Sequence, residues 1–208
     1  MFNFASFARQ ALLAATLALS SAAALAGPSY LVTIHTGNVD AEAGLMDFNF
    51  YTTNDAIGGT ASLSNFSGAF GAEYDRAGSA DGSVADTLTF TPGLTSNYLT
   101  QNVLFGGDFS FNVTFSGDYE TVAGLYAPTF QVSLYDAFLA TEYGVAVQFD
   151  LLPALNADAA GVLVTINDPL LASVTELVAS DVPEPSAMLM MLSTLALAGV
   201  ALRRRRSR

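Results

Sequence analysis

Phe109, Phe111, Val113 and Phe115 alternate with Asp108, Ser110, Asn112, Thr114 and Ser116. Successive side chains of an extended chain point to opposite faces, so this run predicts a strand with four large apolar groups on one side and polar groups on the other. A helix would scatter the same residues around its circumference. Similar alternation appears at Tyr30-Val32-Ile34, Met46-Phe48-Phe50, Leu88-Phe90, Phe130-Val132-Leu134, Val145-Val147-Phe149 and Val162-Val164-Ile166, which makes seven candidate strands.

Turn-forming residues gather between these runs, at Thr36-Gly37-Asn38, Gly58-Gly59, Gly78 to Gly82, Pro92-Gly93, Gly106-Gly107, Ser116-Gly117-Asp118 and Asn167-Asp168-Pro169. Short strands with one apolar face can hide it only against a second sheet. The fold class is therefore all-β, an antiparallel β-sandwich of jelly-roll or Ig-like form. Around Leu170 to Ala179 the apolar residues bunch as in a helix, while Val174, Thr175 and Val178 suit a last strand equally. With no Cys there is no disulfide, so stability must come from the core, for which 15 Phe and 8 Tyr supply the bulk.

Between Gly27 and Val182 the chain holds 18 acidic residues and one basic residue, Arg76, for a net charge of −17. Phosphate recognition needs clustered Lys or Arg, so nucleic acid is excluded as a partner of this stretch and an anionic membrane surface is disfavoured. The excess charge keeps copies soluble and apart.

The two ends differ in kind from the body. Arg9, an apolar stretch from Ala11 to Leu19 and the small-residue pattern Ala24-x-Ala26 read as a signal peptide over residues 1–26, cut by signal peptidase before Gly27. At the other end Val182-Pro183-Glu184-Pro185 leads into an uncharged run from Ser186 to Leu202 and then Arg203-Arg204-Arg205-Arg206-Ser207-Arg208. As a helix that run rises about 25 Å, enough to span a bilayer with little tilt. The arginines hold its end in the cytoplasm, which puts the acidic body on the far side, where the signal peptide also sends it. Pro183 and Pro185 disfavour helix and leave an extended spacer before the anchor. The domains are thus 1–26, a sandwich over 27–180, and a terminal signal over 181–208.

This ending resembles the bacterial PEP-CTERM sorting signal, in which a Pro-Glu-Pro tripeptide precedes a hydrophobic helix and an Arg-rich terminus. The matching positions are Pro183, Glu184 and Pro185, the helix 186–202, and Arg203 to Arg206. The resemblance implies recognition by an exosortase, a membrane-embedded Cys-dependent enzyme, then removal of the tail and release or attachment at the cell surface. It also implies a Gram-negative setting of exopolysaccharide and biofilm matrix. The body is similar to a small group of PEP-CTERM proteins of unassigned activity. The similarity lies in its Tyr-x-Val-x-Ile first strand, Asn65-Phe66-Ser67-Gly68, Phe115-Ser116-Gly117 and Val132-Ser133-Leu134-Tyr135-Asp136.

Little catalytic chemistry is on offer. His35 is the only imidazole, so a Ser-His-Asp triad would need it as base with a serine such as Ser62 or Ser133 as nucleophile, and no Gly-x-Ser-x-Gly elbow is present. Cys-dependent catalysis and Cys or multi-His zinc sites cannot be built. Paired carboxylates for glycoside hydrolysis could come from Asp118 with Glu120 or Glu73 with Asp75. Calcium takes six to eight oxygen ligands, and the acidic loop from Glu73 to Gly82 offers Glu73, Asp75 and Asp81, though without the ladder of an EF-hand. Carbohydrate could stack on tyrosines expected on polar faces or in loops, namely Tyr51, Tyr98, Tyr119, Tyr126, Tyr135 and Tyr143. Asn65-Phe66-Ser67 and Asn112-Val113-Thr114 fit the N-glycosylation pattern. The reading is a non-enzymatic exported protein, structural or adhesive in extracellular polysaccharide. The alternatives are a carbohydrate-binding or calcium-assisted module and a secreted carboxylate hydrolase.

Overall fold

In the computed structural model, which describes residues 27–93, 96–154 and 160–177, the period-two runs become strands. In chain order they are β1 (Ser29–His35), β2 (Ala43–Tyr51), β3 (Thr60–Ser67), β4 (Phe70–Ala77), β5 (Ala80–Gly82), β6 (Leu88–Phe90), β7 (Ser96–Leu104), β8 (Asp108–Ser116), β9 (Thr129–Asp136), β10 (Glu142–Leu152), β11 (Gly161–Ile166) and β12 (Ala172–Glu176). The first sheet runs β12-β1-β8-β3-β6-β5 and the second β11-β10-β9-β2-β7-β4. Every strand pairing is antiparallel. The pairs β1 with β8, β2 with β7 and β3 with β6 nest inside one another, as in a long hairpin doubled over on itself.

The inner faces of the two sheets meet through aromatic rings. Phe48 of the second sheet lies 5.5 Å from Phe111 of the first, edge to face at 80°. Phe115 lies 5.3 Å from Phe149, and Phe90 6.0 Å from Phe130. Phe111, Val113 and Phe115 are fully buried and Phe109 nearly so, as their alternation predicts. Edge-to-face contacts of this kind add to the gain from area burial, which a disulfide-free domain needs.

All seven predicted runs form strands, with two local departures. A bulge between Val145 and Val147 breaks the alternation of β10, so Ala146 and Val147 are both buried while Val145 is only half-buried. The outermost strand of its sheet, β11, leaves Val162 and Val164 half-buried and Ile166 exposed. Between helix and strand over Leu170 to Ala179, strand wins: β12 pairs with β1 from Ala172 to Glu176. β12, the last strand among the described residues, ends at Glu176, and the expected boundary at 180 lies outside them.

Four strands carry no clear period-two signal. β7 turns Asn97 and Gln101 inward beside Leu99 and Val103, and both amides hydrogen-bond to the backbone of neighbouring segments. Gln101 Nε2 donates to the Gly71 carbonyl at 2.6 Å, and Asn97 Nδ2 donates to the Phe50 carbonyl at 3.1 Å. β4 packs Phe70 against the core at its start and is largely exposed beyond it. β3 relies on small residues around Ala61 and Leu63. The expected turn Gly78 to Gly82 narrows to Gly78-Ser79, because Ala80 to Gly82 pair with β6 as β5.

The signal sequence with Ala24 and Ala26 lies outside the described residues. So does the terminal segment with Pro183, Glu184, Pro185, the expected helix 186–202 and Arg203 to Arg206. Among the described residues no helix is long and apolar enough to cross a membrane.

Candidate functional site

The outer face of the second sheet follows from the inner one. Because Met46, Phe48 and Phe50 point inward, Asp47, Asn49 and Tyr51 of β2 point out. Register places Thr100 of β7 and Ser133 of β9 on either side of Asp47, and Tyr98 and Gln131 on either side of Asn49. The result is a polar array across three adjacent strands. It opens into a groove of about 320 Å³ lined by Asp47, Asn49, Asp75, Ser96, Tyr98, Thr100, Tyr135 and Leu139.

The groove is wired by hydrogen bonds. Thr100 Oγ1 donates to Asp47 Oδ1 at 2.6 Å, Tyr98 Oη donates to Asp75 Oδ2 at 2.9 Å, and Ser96 Oγ donates to Asn49 Oδ1 at 3.0 Å. Burial pushes the Asp47 carboxyl above its ordinary value, the Thr100 hydrogen bond pulls it back, and the nearby Asp75 charge adds to the rise. A half-buried carboxylate and a tyrosine-bonded one therefore share a groove that no Lys or Arg lines.

One wall belongs to the hairpin tip between β9 and β10. Asp136 Oδ1 accepts from the backbone N–H of Phe138 at 3.1 Å and of Ala140 at 2.8 Å, which pins the tip from within. Leu139 is held at φ 55, a left-handed conformation that a residue with a Cβ adopts at a cost. Leu139 faces the groove, and its neighbour Phe138 is 85% exposed.

Beyond this body, the end of the chain carries a recognisable address. Residues 181–206 match the PEP-CTERM protein-sorting motif. The match takes in Pro183, Glu184, Pro185 and Arg203 to Arg206. A signal of this kind implies export as a membrane-anchored precursor, with an exosortase as the processing partner. No curated protein and no solved structure matches the chain.

Within the body, the structure rearranges several expected sites. His35 meets neither Ser62, which sits on β3, nor Ser133, which belongs to the other sheet. Its Nδ1 lies 2.9 Å from Asp108 Oδ1 and its Nε2 3.2 Å from Ser173 Oγ. That is the order of a triad, but Asp108 is 65% exposed and the three side chains lie on an open sheet face. Triads work beside preorganised oxyanion donors in a water-excluded cleft.

Glu73, Asp75 and Asp81 are not loop residues. Glu73 and Asp75 stand on β4, the edge of the second sheet, and Asp81 on β5, the edge of the first. The cation among them is Arg76, which donates to both Glu73 oxygens at 3.0 and 2.6 Å and to the carbonyls of Ala80 at 2.6 Å and Gly82 at 2.8 Å. Arg76 thereby clips the open edges of the two sheets together and holds the Glu73 carboxyl below its usual range. Asp118 and Glu120 share one turn of 3-10 helix rather than face each other across a cleft.

The tyrosines divide. Tyr119 is fully buried, contrary to its expected place on a polar face or loop, and Tyr143 packs edge-on against Phe105 at 5.8 Å. Tyr126 is exposed in the loop before β9. Tyr51, Tyr98 and Tyr135 lie on the outer face of the second sheet, and the last two reach the groove. Asp47, Asn49, Thr100 and Leu139 escaped the sequence reading. The alternation opposite Met46-Phe48-Phe50 did mark the first two as outward, but nothing local marks them as neighbours of Tyr98.

Proposed function

We propose that this exported protein, freed of its tail by exosortase, works at the cell surface or in extracellular polysaccharide as a non-enzymatic structural or adhesive domain. The observation that carries the reading is the PEP-CTERM motif at residues 181–206, set behind an all-β body. The nested pairing of β1, β2 and β3 with β8, β7 and β6 supports the jelly-roll over the Ig-like form of the sandwich. An outer sheet face rich in hydroxyls, amides and tyrosine supports adhesion to polysaccharide rather than turnover of it.

The test is processing. Changing Glu184 to Ala, or removing Arg203 to Arg208, is expected to leave full-length precursor at the inner membrane, read by immunoblot of membrane, surface and medium fractions. Normal tail removal and release in both variants would overturn the sorting part of the reading. Finding the mature protein only in the periplasm would overturn the matrix part.

A further inference from the structure

The groove on the second sheet has a chemistry that selects its occupant. It carries two carboxylates, Asp47 and Asp75, and carboxylates accept hydrogen bonds without donating any. Whatever faces them must donate, through hydroxyl or ammonium groups. Asn49, Thr100 and Ser96 add groups that can both donate and accept, already preorganised by the Thr100–Asp47 and Ser96–Asn49 bonds. An anionic ligand would meet two like charges and find no counter-charge. Arg76 is the only Lys or Arg among the described residues, and its guanidinium is taken up by Glu73 and by the β5 carbonyls.

Beside this polar floor stand apolar surfaces of the right kind. Tyr98, Tyr135 and Leu139 line the groove, and Phe138, next to Leu139 in the pinned tip, is almost wholly exposed. Leaving a phenylalanine almost wholly in water next to a strained leucine gains the isolated fold nothing, and such strain is typically kept where it serves binding. Polar floor, flanking rings and acceptor excess match one ligand class, because a sugar offers donating hydroxyls on its edges and a flat C–H face that packs on aromatic rings. A volume of about 320 Å³ sits at the low end of small-molecule sites and suits a short stretch of sugar units.

We propose that this groove, with Asp47, Asn49, Tyr98, Tyr135 and the Phe138-Leu139 tip, is a saccharide-binding site that accepts uncharged or amino-bearing sugars and rejects uronic acids. The inference rests on the adhesive reading above and names the ligand class and the place.

The exported form, recovered from outside the producing cells, is titrated calorimetrically with oligomers of a neutral β-glucan, with chitosan oligomers and with alginate oligomers. Binding of the glucan or chitosan oligomers, with none of alginate, is the expected result. Phe138→Ser is expected to weaken it roughly tenfold, as is Asn49→Ala. Leu125→Ser, which removes an exposed apolar group elsewhere, should leave binding intact. Because Phe138 is so exposed, its variant should melt at the parental temperature, so lost binding cannot be put down to unfolding. Failure of both glucan and chitosan to bind, alginate binding as well as either, or parental affinity in both groove variants would each overturn the proposal. Recovery of the protein outside the cells checks the sorting reading before any sugar is added, so the two can fail separately.

Discussion

Tyr119 shows how a single side chain can be well placed and poorly satisfied at once. Its ring is fully buried, its hydroxyl has no hydrogen-bond partner among the described residues, and burial pushes the phenol well above its ordinary value. An unpaired buried hydroxyl costs its desolvation, so Tyr119→Phe should leave stability unchanged or raise it, whereas Tyr119→Ala should lose about 3–5 kcal/mol with the ring. Urea unfolding of the two variants checks the contrast. Asp47 makes a second residue-scale case with a sign. Folding raises its pKa, so the folded state holds the proton more tightly than the unfolded chain does. Ionised Asp47 therefore weakens the fold near neutral pH, and the penalty fades as pH falls below the ordinary carboxylate range. Asp47→Asn keeps an oxygen for Thr100 and should melt higher near neutral pH. The gain should vanish below about pH 4. A gain that persists unchanged at acid pH would contradict the assignment.

At the scale of elements, the β9–β10 tip and the β4–β5 edge solve opposite problems. Arg76 spends the body's one guanidinium on joining two sheet edges, and the acidic, bulged β4 offers a poor template for a further strand. The tip instead maintains strain. Leu139→Gly relieves a left-handed Leu and should raise stability by up to about 1 kcal/mol, against the chain entropy that glycine adds. If the groove holds saccharide, the same change should weaken binding, since it removes one wall. Thermal melts paired with titration test both halves, and a less stable variant would show that the leucine is not strained.

Across the whole molecule, the excess of negative charge works against the fold. A net −17 between Gly27 and Val182 repels itself at low ionic strength, and salt screens that repulsion. The melting temperature of the exported form should therefore rise between about 0.01 and 0.15 M NaCl. A fall would mean that local pairs such as Arg76–Glu73 outweigh the overall repulsion.

The strands with large residues in alternation, most of the turns between them, and the sorting motif at 181–206 were legible from the chain alone, since each depends only on neighbours along the backbone. β7 was not, because its inward Asn97 and Gln101 make sense only beside the Phe50 and Gly71 carbonyls to which they donate. The groove was not either. Asp47, Asp75, Tyr98 and Tyr135 stand on four strands, and only the nesting of β2 against β7 and β9 brings them to one face, through registers in which a one-residue slip would send each to the opposite side.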